Sequence, residues 1–195
     1  MKYYALEYFR GGDESIVDAR IRYSPPRSDY YDIADSEFTR NEAVSFDVLG
    51  PLKNLKEDFF RVTSGEFLGV RGLAEVIRSF QKDVQLVPAV GCNSNGSAVE
   101  GEFCLIHPGK RVAAFNYAES DYAGKSMILS EVAQGRPGRL VKGITHVVLS
   151  EKGIEGNSYF FLANAIFFNP IVSADLLDAL LARKFDLSYQ MMDVA

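Results

Sequence analysis

Two stretches of the chain carry the same order of apolar patterns, and they constrain the fold more than any other feature. In the first, Phe67 to Val70 is a short apolar run, apolar residues then recur at helical spacing, and Val84 to Val90 is a second run. Such patterns predict a strand, an amphipathic helix and a strand. Pro88 lies in the second run. Because proline cannot donate a ladder hydrogen bond, we expect this residue at a sheet edge or a bulge.

The second stretch closes the chain. Tyr159 to Val172 predicts one or two strands with a break at Asn169-Pro170, and Phe185 to Met191 predicts a last strand. Between them, Ser173 suits the N-cap of a helix and Asp175 suits the positive end of its dipole. Leucines supply the predicted buried stripe of this helix: Leu176, Leu177, Leu180 and Leu181.

The two stretches echo each other at an offset of 103 residues. Leu73 falls on Leu176 and Ile77 falls on Leu180, within helices of similar length. Few identities support the match. We therefore interpret it as convergence on one generic unit, with internal duplication as the alternative.

Further predicted strands surround these two units. Lys2 to Phe9 is rich in strand-forming residues, as is the short run from Ala19 to Tyr23. Gly101 to Ile106 and Arg111 to Tyr117 flank a Pro-Gly pair, which is a common turn signal, and we expect them to pair as a hairpin. Leu140 to Ser150 predicts one more strand.

The segment that begins at Pro51 predicts a short helix, because proline suits a first helical turn. Its apolar residues recur at roughly helical spacing: Leu52, Leu55, Phe59 and Phe60. Gly91 to Gly96 (GCNSNG) precedes a strand rather than a helix, which predicts a hairpin loop and not a phosphate-binding loop. Together the elements predict an α+β fold with a mixed or mainly antiparallel sheet and a few packed helices. At 195 residues the chain fits a single domain spanning residues 1–195.

Negative charge is concentrated near the N-terminus. Gly12 to Asp47 carries nine acidic residues and four arginines, whereas Val48 to Ala195 carries sixteen acidic and fifteen basic residues. The net charge of −5 therefore belongs almost wholly to the N-terminal quarter. Because nucleic-acid binding needs clustered basic residues to neutralise phosphates, this balance argues against a nucleic-acid partner and favours a basic protein.

The acidic residues belong to a long segment, residues 11–40, which is dense in Gly, Asp, Ser and Pro and predicts an acidic loop or a poorly ordered insertion. Its part from Ser28 to Phe38, SDYYDIADSEF, interleaves carboxylates with tyrosines and contains no Lys or Arg. Carboxylates steer the encounter with a basic surface, and aromatic rings anchor it. The predicted partner-binding residues are Asp29, Tyr30, Tyr31, Asp32, Asp35 and Glu37. The alternative is an acidic loop that is merely solvated.

No motif in the sequence predicts a catalytic, cofactor or metal site. Cys92, Cys104, His107 and His146 are candidate zinc ligands, but only Cys104 and His107 are closely spaced. The two histidines are the only imidazoles available to activate a nucleophile, and no Gly-x-Ser-x-Gly motif frames either of them. We expect no cofactor, no metal and no enzymatic activity. A hydrolase that uses His107 or His146 is the less favoured alternative.

The start of the chain lacks the pattern of an export signal, because Glu7 and Arg10 interrupt the apolar residues too early. No apolar stretch approaches the length of a membrane span. The two cysteines are expected to be buried thiols rather than a disulfide. We therefore expect a soluble, cytoplasmic protein without a membrane partner. Its oligomeric state is left open.

Four segments of the chain together resemble a known group of proteins. They are Lys2-Tyr3-Tyr4, FLGVRGLAEVIRSFQKDVQLVPAV (67–90), EFCLIHPGKRVAAFNYAES (102–120) and IFFNPIVSADLLDALLARKFDLSYQ (166–190). In this order they are similar to elements of the small immunity proteins of bacterial polymorphic toxin systems, in particular the immunity protein 11 family and the related immunity protein 43 family. Asn116 departs from the acidic residue expected at its position.

The resemblance implies a non-enzymatic cytoplasmic protein that neutralises a cognate bacterial toxin by direct binding. It transfers no binding residues, because immunity surfaces vary with their toxins. An adaptor or structural interaction module is the alternative. Gene context separates the two, since an immunity gene normally lies beside a large toxin gene.

Overall fold

The computed structural model describes residues 1–6, 19–26, 37–39, 41–49, 58–63, 65–108, 111–136 and 140–195. Within these ranges the chain forms fourteen strands and four helices, and the predicted α+β class is confirmed. The strands are β1 (Tyr3–Leu6), β2 (Ala19–Ser24), β3 (Ala43–Val48), β4 (Phe59–Arg61), β5 (Phe67–Val70), β6 (Gln85–Asn93), β7 (Phe103–His107), β8 (Arg111–Val112), β9 (Asp121–Tyr122), β10 (Ile144–His146), β11 (Val148–Leu149), β12 (Tyr159–Leu162), β13 (Ile171–Ser173) and β14 (Tyr189–Val194). The helices are α1 (Arg71–Phe80), α2 (Lys125–Ala133), α3 (Glu151–Ile154) and α4 (Ala174–Ala182).

The first of two six-stranded sheets has the strand order β2-β3-β6-β7-β5-β4. Its neighbouring strands are antiparallel except β3 and β6, which run parallel. The first predicted strand–helix–strand unit is confirmed as β5, α1 and β6. Strand β7 lies between β5 and β6, and α1 packs on all three strands.

The second six-stranded sheet has the order β11-β14-β1-β13-β12-β8, and a separate pair joins β9 to β10. The closing unit is confirmed as β13, α4 and β14. Ser173 caps α4 as predicted, since its hydroxyl accepts a hydrogen bond from the Leu176 amide at 3.4 Å. The N-terminal strand β1 lies between β13 and β14, antiparallel to both.

Three clusters of buried apolar side chains hold these elements together. The central cluster joins Leu73 and Ile77 of α1 to Leu176 and Leu180 of α4 and includes side chains from both sheets. Each of the other two clusters belongs to one sheet, around Phe46, Phe60 and Phe103 in the first sheet and around Leu149, Phe160 and Ile171 in the second. Successive residues of a strand point to opposite faces, so each sheet contributes to the central cluster and to a cluster of its own.

The predicted hairpin of Gly101 to Ile106 with Arg111 to Tyr117 is wrong. β7 pairs with β5 and β6 in the first sheet, whereas β8 pairs in parallel with β12 in the second. All five residues of β7 are buried, and both of its edges are occupied by other strands. The Pro-Gly segment therefore connects the two sheets. β7 pairs with β5 on one edge and β6 on the other, which leaves it no free edge for β8.

The predicted helix from Pro51 lies mostly outside the described residues, but Phe59 and Phe60 belong to β4 and not to a helix. Phe59 packs in the central cluster and Phe60 in the cluster of the first sheet. Successive residues of a strand point to opposite faces, so a strand lets these two adjacent rings pack in different clusters. Leu181 is 37% exposed and, unlike Leu176, Leu177 and Leu180, is not part of the central cluster, so it does not belong to the buried stripe of α4.

Two strand boundaries also differ from prediction. The run from Leu140 to Ser150 divides into β10 and β11, and Val141 forms an isolated bridge with Ala165. The last strand starts at Tyr189 and extends past Met191. Of the predicted first strand, only residues up to Leu6 are described, and they form β1. The run from Ala19 is confirmed as β2.

Pro88 lies in an interior strand, so its predicted place at a sheet edge is wrong. It pairs in register with Cys104 of β7, while β3 joins β6 only from Ala89 onward. Because no residue of β3 is in register with Pro88, the missing amide proton interrupts no pairing with that strand. The predicted hairpin loop after Gly91 is confirmed in shape, since β6 ends at Asn93 and Cys92 bridges back to Ala98.

The echo at 103 residues extends to the register of both sheets. Ser45 lies opposite Val90 where β3 joins β6, and Val148 lies opposite Asp193 where β11 joins β14, so both partners shift by 103. The strand in the middle of each unit follows the same rule. Phe103 lies opposite Val70 and Ala89, and Tyr3 lies opposite the residues 103 positions further along, Ser173 and Met192.

This shared register favours duplication over the convergence expected from the sequence. A generic strand–helix–strand unit does not determine how additional strands on either side align with it. The middle strand of the first unit is β7, which follows β6 in the chain, whereas the middle strand of the second unit is β1 from the N-terminus. The chain therefore completes its second unit with its own first strand.

Candidate functional site

Five of the six predicted partner-binding residues lie outside the described residues: Asp29, Tyr30, Tyr31, Asp32 and Asp35. Glu37 is described and exposed, and it directly precedes the buried Phe38, the last residue of the acidic segment Ser28 to Phe38. The residues that hold this end in place form the candidate site.

Phe38 fixes the end of the acidic segment to the first sheet. Its side chain is only 9% exposed and belongs to the buried cluster of that sheet. The Phe38 amide donates to Gln85 Oε1 at 2.7 Å, and Gln85 Nε2 donates to the Phe38 carbonyl at 3.2 Å. The Gln85 side chain thus satisfies both backbone groups of Phe38, as a neighbouring strand would.

The last residue of the acidic segment lies beside a residue that comes before the segment in the chain. Tyr23 of β2 precedes Ser28, and its ring centroid lies 6.0 Å from that of Phe38. β2 is an edge strand of the first sheet. Tyr23 and Phe38 both pack against the buried cluster of this sheet, so the chain leaves that cluster at Tyr23 and returns to it at Phe38.

A buried polar group lies under this contact. Glu66 is 2% exposed, and the Tyr23 hydroxyl donates to its Oε1 at 2.7 Å. Glu66 Oε2 is also buried and makes no hydrogen bond within the described part of the chain. His107 is fully buried, and its ring meets the ring of Phe38 edge to face at a centroid distance of 4.9 Å. A solvent-borne substrate does not reach the His107 imidazole in this conformation.

His146, the other histidine of the hydrolase alternative, lies on a separate surface. It is exposed, and its Nε2 lies 2.8 Å from Asp193 Oδ2 while its Nδ1 lies 4.0 Å from Asp121 Oδ2. The Lys125 ammonium lies 3.3 Å from Asp121 Oδ1. The neighbouring Thr145 hydroxyl donates to the Asp121 carbonyl at 3.4 Å. The recorded polar partners of His146 are thus two carboxylates rather than a nucleophile.

A groove beside α1 contains the thiol of Cys104. Burial raises the pKa of this thiol, with the nearby Arg71 guanidinium acting in the opposite direction. The thiol is therefore less ionised near neutral pH than an exposed cysteine, which makes it a poorer nucleophile. Arg71 forms ion pairs with Glu75 and Glu102, at 3.1 and 3.4 Å, so the groove has no concentrated charge of one sign.

The nominated zinc ligands do not converge. Cys104 and His107 lie on opposite faces of β7, and within the described ranges no three His, Cys, Asp or Glu side chains are grouped to hold a metal ion. None of the described helices is long and apolar enough to cross a membrane. Both cysteines are free thiols, with Cys104 buried and Cys92 half-buried.

Asn116 has a local structural role in the segment that resembles immunity proteins. Its side-chain oxygen accepts hydrogen bonds from the amides of Ala118 and Glu119 at 3.1 and 3.2 Å. Only an acceptor is needed there, and an aspartate would supply one equally well. The departure at this position therefore leaves the turn chemistry unchanged.

The sequence patterns do not single out Gln85 or Glu66. Their only signal is alternation, because Gln85 shares a strand face with the buried Val87, and Glu66 lies two residues before the buried Leu68. A polar residue on an otherwise buried face needs a partner. The identity of that partner depends on strand pairing, which local patterns do not give.

Comparison with models of known protein families finds no family that matches the chain. No curated protein matches its sequence significantly either. The resemblance to immunity proteins accordingly stays a prediction.

Proposed function

We propose that this protein acts by binding another protein and not by catalysis, as a cytoplasmic immunity-type protein that occludes the active surface of a cognate bacterial toxin. The observation that carries the proposal is the contact between Tyr23 and Phe38, which brings the residues on either side of the acidic carboxylates to one buried cluster of the first sheet. Binding residues are commonly presented in this way, on a loop held by a rigid scaffold.

The charge distribution supports a basic partner. Asp29, Asp32, Asp35 and Glu37 lie close together in the sequence with no Lys or Arg between them, so their charges act together on an approaching surface. Opposite charge on the partner raises the association rate, and the interleaved tyrosines supply the apolar contact that holds the complex.

The experiment measures association with the toxic domain encoded beside this gene. Reversing Asp29, Asp32, Asp35 and Glu37 to Lys should lower the association rate constant by about tenfold or more at low ionic strength, because long-range attraction drives such encounters. Stopped-flow fluorescence at several salt concentrations gives this rate. The salt dependence should weaken with it.

The matched control reverses four exposed acidic residues elsewhere: Glu100, Glu119, Glu155 and Asp178. It makes the same change of net charge and should slow association much less. If the two variants slow it equally, the acidic segment is not the contact. If the wild-type protein neither forms a complex with the toxic domain nor protects cells from it, the immunity function is wrong.

A further inference from the structure

A slot opens beside β14 in the second sheet, whereas Tyr23 and Phe38 pack on the first sheet. It has a volume of about 390 Å³ and is lined by residues from β10, β14 and the chain around Phe167. Its size falls within the range of about 300–1,000 Å³ that is usual for ligand pockets.

The slot exists because one strand pairing of the duplicated pattern is missing. In the first sheet Val44 pairs with Ala89, and the corresponding residues of the second sheet are Val147 and Met192. β11 begins only at Val148, and β10 pairs with β9 instead of β14. The segment that leads into β11 and strand β14 therefore separate at Val147, which leaves a gap along β14.

Ser120 holds the mouth of the gap in place. It is fully buried, its hydroxyl donates to the Val148 carbonyl at 3.2 Å, and the Val148 amide donates back to it at 2.9 Å. The next residue, Asp121, lies opposite His146 where β9 joins β10. The polar end of the slot is thus built on fixed backbone.

The walls and the polar end differ in chemistry. Met191 is 59% exposed and lies on the same face of β14 as Asp193, whereas the half-buried Met192 points to the other face and, like Phe167, packs against the buried cluster of the second sheet. At the polar end, His146 Nε2 lies 2.8 Å from Asp193 Oδ2, while Asp193 Oδ1 has no recorded hydrogen bond among the described residues. Asp121 lies behind His146.

We propose that this slot binds the side chain of an arginine from the protein partner. Among the described residues, the ion pairs around His146 bring together Asp193 in the slot, Asp121 behind His146 and the cation Lys125, and this balance of charge favours a cationic ligand. The exposed Met191 side chain on the Asp193 face suits the aliphatic stem of an arginine. The Asp193 carboxylate and the Thr145 hydroxyl, both lining the slot, offer separate acceptors to its five donors.

This inference deepens the proposed function and rests on it in one respect, namely that the partner is a basic protein. The slot's own preference is measurable without that partner. The probe is Nα-acetyl-arginine methylamide, and the matched neutral probe is the citrulline analogue, which has nearly the same shape without the charge. Titration is followed by two-dimensional amide NMR of the whole protein.

We expect the arginine probe to shift the amide signals of residues 144–147 and 190–193 in a saturable way, and the citrulline probe to leave them in place. Asp121→Asn combined with Asp193→Asn should abolish the shifts, since the amides keep the size and an acceptor oxygen but lose the charge. Glu155→Asn together with Asp178→Asn is the control and should bind as the wild type does.

Met191→Ala gives a second test that does not depend on the polar end. Its side chain is exposed, so truncation should keep the fold and weaken the arginine probe several-fold. Equal shifts with the citrulline probe, or unchanged binding in the double Asn variant, would overturn the proposal. Tighter binding of the lysine analogue would overturn the choice of arginine. None of these outcomes bears on the association rates measured with the acidic segment, so the two proposals fail separately.

Discussion

Polar side chains hold distant parts of this chain together where backbone pairing ends. Gln85 holds Phe38, Ser120 holds Val148, and the Gln81 side chain accepts from the Ser158 amide at 2.8 Å. Each replaces a ladder hydrogen bond that no strand supplies, and each partner is more than 25 residues away. Buried backbone groups need such partners, because leaving one unpaired costs about as much as a lost hydrogen bond.

Tyr23→Phe should lower the free energy of unfolding by about 1.5–3 kcal/mol, because the change removes a hydrogen bond to a buried carboxylate and leaves Glu66 without that donor. Glu66→Gln should lower the free energy of unfolding less, since the amide oxygen of the glutamine still accepts from Tyr23 and a carboxylate is removed from the interior. Urea denaturation of both variants and of the double variant measures these energies. If Tyr23→Phe lowers the free energy of unfolding as much in the Glu66→Gln background as in the wild type, the hydrogen bond is no stronger to the carboxylate than to an amide.

At the scale of elements, α1 and α4 occupy equivalent places but begin differently. The first helical amide of each is satisfied by the neighbouring middle strand: Arg71 N donates to the Glu102 carbonyl at 2.7 Å, and Ala174 N donates to the Lys2 carbonyl at 3.0 Å. Only α4 also has a side-chain cap, from Ser173, because the corresponding residue of α1 is Val70. The sequence has therefore kept the position of the helix start while changing how it is stabilised.

Ser173→Ala should destabilise the protein by about 1 kcal/mol, because the Leu176 amide loses its acceptor at a buried helix start. Ser126→Ala is the control, since Ser126 is an exposed residue in the first turn of α2, a helix without a side-chain cap. Thermal unfolding followed by circular dichroism compares the two. A shift in Tm no larger than that of the control would show that the Ser173 hydroxyl is not a working cap.

At the scale of the whole molecule, the two termini lie close together. The Glu151 amide donates to the Ala195 carbonyl at 3.0 Å, and the Met1 ammonium lies 3.8 Å from Glu151 Oε1. In the first unit the chain runs from β6 through a connection of nine residues, 94–102, into the middle strand β7. A linker from Ala195 to Met1 would therefore repeat in the second unit the connection that the first unit already has.

We expect a circular permutant that starts at Gly12, joins Ala195 to Met1 through a flexible linker and ends at Gly11 to fold with both sheets intact. Deleting residues 1–6 without reattaching them should instead unfold the second sheet, because β1 is one of its central strands. Circular dichroism and amide NMR dispersion distinguish these outcomes. A permutant that fails to fold, or a deletion that unfolds nothing, would contradict the assignment of β1 as the missing strand of the second unit.

Local conformation was predictable where one periodicity ran without interruption. Apolar spacing placed α1 and α4, the hydroxyl of Ser173 placed a cap, and Asn169-Pro170 placed a strand break. Apart from Phe59 and Phe60, which were predicted in a helix and lie in β4, the main failure concerns a strand's partner rather than its conformation. The turn signal at Pro108 predicted a hairpin, yet β7 and β8 entered different sheets, because pairing depends on the fit of whole faces and not on the turn between two strands.

The sequence by itself determined the α+β class, the two strand–helix–strand units and the concentration of negative charge in the N-terminal quarter, since periodicity and charge are properties of neighbouring residues. The tertiary structure decided the rest. It placed β1 in the second unit, brought Tyr23 to Phe38 and Glu66, and opened the slot beside β14. These are contacts between residues far apart in the chain, and they depend on which strands pair and in what register, which no local pattern specifies.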